Sequence, residues 1–152
     1  MAKPQTSGLE THLGYWLRYV SNHVSHAFAR KLEARGVTVA EWALLRALFD
    51  HDALAPSEIA RNMGMTRGAI SKLTDRLEAK ALILRTQSRD DKRWQTLALT
   101  ASGRALVPKL AALADRNDEE FFGHLTATER QAIAEAMRTI VRRHGFKNIP
   151  TE

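Results

Sequence analysis

The chain has 152 residues, 44% of them hydrophobic and 26% charged, with a net charge of +6 and no cysteine. This length suits one domain with a real core, and the missing cysteines exclude disulfides, thiol redox sensing and Cys-based zinc sites. No apolar run nears the ~20 residues that span a bilayer, and the first eight residues lack the apolar stretch of a secretory signal, so the cytoplasm is the expected location.

Leu9, Leu13, Trp16, Leu17, Val20, Val24, Ala27, Phe28 and Leu32 recur at three- and four-residue steps. They predict a long amphipathic helix from Leu9 to Ala34, stopped by Gly36. Thr38 caps a second helix through Trp42, Leu45, Leu48 and Phe49. Pro56 suits the first turn of a short third helix, with Ile59, Ala60 and Met63 inward and Gly64 at its end. Met65 makes the turn, and Thr66 caps a fourth helix that points Ile70, Leu73 and Leu77 inward. The period then changes. Residues 81–86 and 94–99 read as two strands of a hairpin with a charged tip. Thr100 caps a long helix carrying Leu106, Leu110 and Leu113, with Pro108 either kinking it or lying near its first turns. Thr126 to Glu129 opens a last helix with Ile133, Met137, Ile140 and Val141, closed by Gly145.

The positive charge is concentrated. Residues 61–93 hold nine Lys or Arg against four Asp or Glu, and the rest of the chain is nearly balanced. A basic stretch by itself is compatible with a plain solvated face, and the structure carrying it decides. A short helix, a Gly-containing turn and a second helix with a polar outer surface make a helix-turn-helix. An α-helix fits the major groove, and its first turns reach base edges. On the fourth helix Arg67 and Lys72 suit guanine acceptors, while Thr66 and Ser71 suit base or phosphate. Gly68 either lets DNA approach closely or is simply a tolerated helical glycine. At the hairpin tip Arg89, Lys92 and Arg93 suit a minor groove, with Asp91 bracing a neighbouring Arg; the plain alternative is an ordinary charged turn.

These residues resemble the MarR family. The resemblance lies in Ser57-Glu58-Ile59-Ala60, in Met65 through Glu78, and in Asp91-Lys92-Arg93 followed by Leu97, Leu99-Thr100 and Gly103. It covers essentially the whole chain and implies a mainly α fold with a small β-hairpin wing. It implies one unit over 1–152, with a winged lobe at 38–100 and dimerisation helices at 9–35 and 104–146. It further implies a homodimer on double-stranded DNA, Arg93 in the minor groove, and Thr66, Arg67, Gly68, Ser71, Lys72 and Arg76 on the groove-facing helix. Two positions depart from the family pattern. Ala55 replaces a capping Thr or Ser, and Ala81 replaces a Gly that follows the groove helix. If position 81 is left-handed, Ala is strained there by about 1 kcal/mol.

Leu9, Leu13, Leu17, Ile133, Met137, Ile140 and Phe146 exceed what one small lobe needs. They either pack within one chain or form a two-fold dimer, which suits a pseudo-palindromic operator with half-sites ~10 bp apart. The resemblance implies repression, and a small aromatic acid as effector. His12, Tyr15, Trp16 and Tyr19 on the first helix, with Trp42 and Arg46 on the second, are candidates to line its pocket; the alternative is that both tryptophans are core. His23 and His26 have a spacing that permits metal, but surface or interface histidines suit them better. No phosphate loop, Cys nucleophile or metal motif suggests an enzyme, and no cofactor is expected. The rival readings are a non-specific DNA-packaging protein and a ligand-independent regulator.

Overall fold

Helix α1 (Leu13–Glu33) is preceded by a 3-10 turn, Leu9–Thr11, so the long helix expected from Leu9 breaks at His12. The indole of Trp16 donates to the Glu10 carbonyl (2.9 Å), an oxygen that a continuous helix would offer to Gly14. The computed structural model describes residues 1, 3–87, 89–90 and 94–151. At the other end of α1, Gly36 turns left-handed (φ +73°), and the Val37 N–H donates to the Leu32 carbonyl at 3.2 Å. Val37 is thereby dropped into the core.

Helix α2 (Val39–Phe49) is capped by Thr38, whose hydroxyl accepts from the Glu41 N–H. It contributes Leu44, Leu45 and Leu48, all fully buried. Helix α3 (Pro56–Met63) starts on Pro56. Ala55 has no side-chain acceptor to cap it, so only half of a capping pair remains: the Ala55 N–H donates to the Glu58 carboxylate at 3.4 Å. Gly64 ends α3 at φ +64°, and a Cβ there would strike the backbone of Asn148. The C-terminal tail lies against this turn, with the Ile149 N–H donating to the Met63 carbonyl (3.3 Å).

Helix α4 (Arg67–Ala79) is capped by Thr66, which accepts from the Ala69 N–H at 3.1 Å. The condition set for position 81 is met, since the turn that follows α4 is left-handed at Ala81, φ +58°. Ala81→Gly should therefore stabilise the fold by about 0.5–1 kcal/mol, the relief of strain exceeding the entropy a glycine costs. A urea midpoint equal to or below that of the wild type would refute this. The left-handed turn also explains why the first strand starts later than expected.

Strand β1 (Ile83–Gln87) pairs antiparallel with β2 (Gln95–Leu99), in register from Ile83↔Leu99 to Gln87↔Gln95. Ile83, Leu97 and Leu99 face the core. Leu54 adds a short bridge to Leu97 through two backbone hydrogen bonds (2.8 and 2.9 Å), an element with no sequence pattern of its own.

Helix α5 (Ala101–Phe122) runs uninterrupted through Pro108. Gly103 lets it cross the turn after α4, because a Cβ at that position would collide with the Leu82 carbonyl. Its first turns bury Val107, Leu110 and Leu113 against the lobe. Farther along, Lys31 of α1 donates to Asn117 (2.9 Å) and pairs with Glu120 (2.7 Å), and Asn117 donates to the Val24 carbonyl. Helix α6 (Ala127–His144) carries a full capping box of Thr126 and Glu129. The Glu129 carboxyl is held below the usual carboxylate range by the Thr126 N–H and then by the Thr126 hydroxyl. Among the described residues, no position of α6 is buried.

The chain is mainly helical, with a small β-hairpin beside a two-helix motif, and among the described residues no helix is long and apolar enough to cross a membrane. Its core joins α2, α3, α4, the hairpin and the start of α5. Helices α1, late α5 and α6 project an apolar surface that this core does not cover.

Candidate nucleic-acid interface

The core sets the orientation of α4. Ile70, Leu73, Thr74 and Leu77 are buried, and the Thr74 hydroxyl returns to the Ile70 carbonyl at 2.7 Å. The helical period then leaves Thr66, Arg67, Gly68, Ser71, Lys72, Asp75 and Arg76 exposed on one stripe. Every residue expected on the groove-facing helix lies there. Among the described residues, Arg67, Lys72 and Arg76 form no ion pair, so their charge is directed outward. Gly68 is not required by packing within the chain, since a Cβ there would meet only the Thr66 Oγ1 at 4.0 Å.

At the hairpin tip, Arg89 and Asp90 are exposed. Asp91, Lys92 and Arg93 lie outside the described residues, and so do the bracing and minor-groove roles assigned to them. Trp94 follows them and is 66% exposed, at the base of the tip.

Two of the basic residues counted in this stretch turn inward. Lys80 pairs with Glu41 at 2.6 Å and donates to the Gly36 carbonyl at 2.7 Å. Arg85 pairs with Asp75 at 2.7 Å and approaches Glu78 at 3.7 Å. Sequence reasoning assigned neither a role. Strand alternation carried a signal for Arg85, because it shares the face of buried Ile83. Nothing local marked Lys80, whose partner is 39 residues away.

The six candidate effector residues do not converge. Trp16 and Tyr19 line a groove of about 630 Å³ with Phe121, Phe122, Met137 and Ile140. His12, Tyr15 and Tyr19 face a separate, shallower depression. Tyr15 meets Trp16 edge-on at 5.2 Å, and Tyr19 stacks on His23 at 5.3 Å. Trp42 packs against the lobe core. Arg46 is held by Asp50 (2.7 Å) and lies 5.7 Å over the Phe49 ring. Within one chain the larger groove is lined by α1, late α5 and α6, and α2 adds nothing to it. The reason is geometric: the α2 positions lean on the lobe, while the α1 aromatics lie beyond it. Among the described residues, His23 and His26 belong to no group of three or more metal-ligating side chains.

The model of the MarR family matches residues 37–94, which run from Val37 through α2, α3, α4 and β1 to Trp94, just before β2. The HTH-type transcriptional regulator PrsX of Escherichia coli is 32% identical over 102 residues, covering 66% of this chain and 61% of PrsX. Over residues 37–94 the chain is thus similar to the MarR family. Its fold agrees with that of MarR-type structures across most of its length. The S. aureus MepR–DNA complex matches with a TM-score of 0.76 and 25% identity, covering 87% of this chain and 98% of that one. The structure describing regulation of DNA binding of Bordetella bronchiseptica BpsR by 6-hydroxynicotinic acid matches with a TM-score of 0.76 and 24% identity, over 90% and 97% of the two chains. The MarR family model ends before α5, so likeness in α1, α5 and α6 rests on these structural matches and on longer sequence matches, such as 28% identity over 143 residues (90% of this chain) to an HTH-type transcriptional regulator of Bacillus cereus.

Proposed function

We propose that this chain is a sequence-specific DNA-binding transcriptional regulator that acts as a homodimer on a pseudo-palindromic operator. One observation carries the reading. The outer stripe of a capped helix presents Arg67, Lys72 and Arg76 without ion-pair partners among the described residues, beside a hairpin whose tip is charged. MepR, which shares the fold, is described bound to DNA. The second copy is proposed from the bare apolar face. Leu13, Leu17, Ile133, Met137 and Ile140 are all exposed in the single chain, and a two-fold contact would cover them. Repression, and release by a small aromatic acid, are the finer parts of the proposal. BpsR is described as regulated by 6-hydroxynicotinic acid, which supports the ligand part of the reading.

A footprint with competitor DNA at moderate salt tests the reading. A protected two-fold site supports it, and uniform coating overturns it. Arg67→Ala is expected to cost about 1–3 kcal/mol of operator affinity and to relax discrimination at the base it meets. Binding by that variant with unchanged affinity and sequence preference would remove Arg67 from the interface. For the effector, a panel of phenolic acids that leaves both operator affinity and intrinsic Trp fluorescence unchanged would refute ligand control.

A further inference from the structure

We propose that Arg85 is a positioning residue for DNA binding, an internal counter-ion that cancels Asp75 and Glu78 on the groove-facing helix and moors the wing to it. The proposal rests on the DNA-binding reading above.

Asp75 and Glu78 are the acids of α4. Asp75 lies in the outward stripe between Lys72 and Arg76, where an uncompensated carboxylate would oppose the phosphates its neighbours are to meet. Arg85 approaches from β1, with its guanidinium 2.7 Å from the Asp75 Oδ1 and its Nε 3.7 Å from the Glu78 Oε2. Its side chain is only 26% exposed, against 67% for Asp75 and 48% for Glu78. The cation is thus lodged beneath two carboxylates that reach the surface. Strand parity puts it there: Arg85 lies on the face of buried Ile83, so the backbone directs it toward α4. The Nε is shielded from solvent and has no hydrogen bond among the described residues. Charge, rather than a complete hydrogen-bond set, therefore holds the guanidinium. Arg85 is paired in register with fully buried Leu97, so the contact anchors the wing at its core-facing strand pair. Without Arg85, two negative charges are unmasked on the DNA-facing side and the wing loses a tie to the helix it accompanies.

The test titrates four proteins against a duplex that the wild-type chain selects from a random-sequence pool, with a thermal melt of each. They are the wild type, Arg85→Ala, Arg85→Lys, and the triple variant Arg85→Ala with Asp75→Asn and Glu78→Gln. Arg85→Ala should lose on the order of tenfold in affinity, with a melting temperature within a few degrees of wild type, because the two carboxylates it leaves are largely solvated (67% and 48% exposed). Arg85→Lys should retain most of the affinity. The triple variant should return to within about threefold of wild type. Unchanged affinity in Arg85→Ala overturns the proposal. A triple variant as weak as Arg85→Ala also overturns it, because Arg85 would then act by touching DNA or by supporting the fold. A wild-type chain that selects no duplex overturns the DNA-binding reading itself, an outcome separate from any behaviour of the variants.

Discussion

A chain with Glu in place of both Leu17 and Ile140 is expected to sediment as a monomer and to lose operator affinity by a factor on the order of 10³. Two half-sites bound through one dimer give far tighter binding than one, because the second contact becomes intramolecular. Leu17 is 54% exposed and Ile140 45% exposed in the single chain, and both lie outside the lobe core. The double substitution should therefore spare the lobe: its helical content and melting should persist while the oligomer is lost. Two like charges placed on each copy of a two-fold face oppose its closure directly. Sedimentation and a gel-shift titration check the two halves together. A dimer that survives the substitutions would show that some other face joins the copies. A monomer that binds the operator as tightly as wild type would remove dimerisation from the binding mechanism.

Lys80→Ala is expected to destabilise the fold by about 3 kcal/mol, read as a lower urea midpoint at constant slope. Glu41 is 1% exposed and receives Lys80 at 2.6 Å, with the Thr38 hydroxyl at 3.1 Å as its other partner. Removing the ammonium leaves a buried carboxylate with one hydroxyl donor at the start of α2. The lower end of the usual penalty is expected because Lys80 itself is 39% exposed and already partly hydrated. The same ammonium also satisfies the Gly36 carbonyl, so its loss frees the end of α1 as well. Replacing both partners, with Glu41→Leu and Lys80→Met, should recover most of the loss, since the cost lies in the unpaired charge. A loss below about 1 kcal/mol for Lys80→Ala would show that water reaches Glu41 and that the pair is not buried in the energetic sense. The pair ties α2 to the end of α4, so the angle of the groove-facing helix depends on it.

The order of elements was legible because each boundary has a local chemical cause. Thr38, Thr66, Thr100 and Thr126 are observed helix caps, and Pro56 opens α3. The outward stripe of α4 followed from the 3.6-residue period, and the structure places Arg67, Ser71, Lys72 and Arg76 on it. The break at His12 was not legible, because it depends on an indole reaching back to the Glu10 carbonyl. The effector candidates are aromatic or basic side chains along two helices. Helix packing separated them, since Trp42 serves the lobe and Trp16 lines the outer groove.

Periodicity and capping act within a few residues, so the amino-acid sequence by itself determined the helix-turn-helix, the wing strands, the concentration of charge and the outward face of α4. The strain at Ala81 was legible only as a condition, through the Gly that the resemblance places there, and the backbone at φ +58° meets that condition. Tertiary structure decided which charges are spent inside the fold. Lys80 meets Glu41 across 39 residues and Arg85 meets Asp75 across ten, so two cations that composition counts toward an acidic partner instead hold the groove-facing helix in place. Tertiary structure also decided which apolar residues remain uncovered. Leu17 and Leu32 sit on one helix and contribute equally to its apolar pattern, yet only Leu32 is buried. Burial depends on what packs against a residue, and the lobe ends before it reaches the first turns of α1.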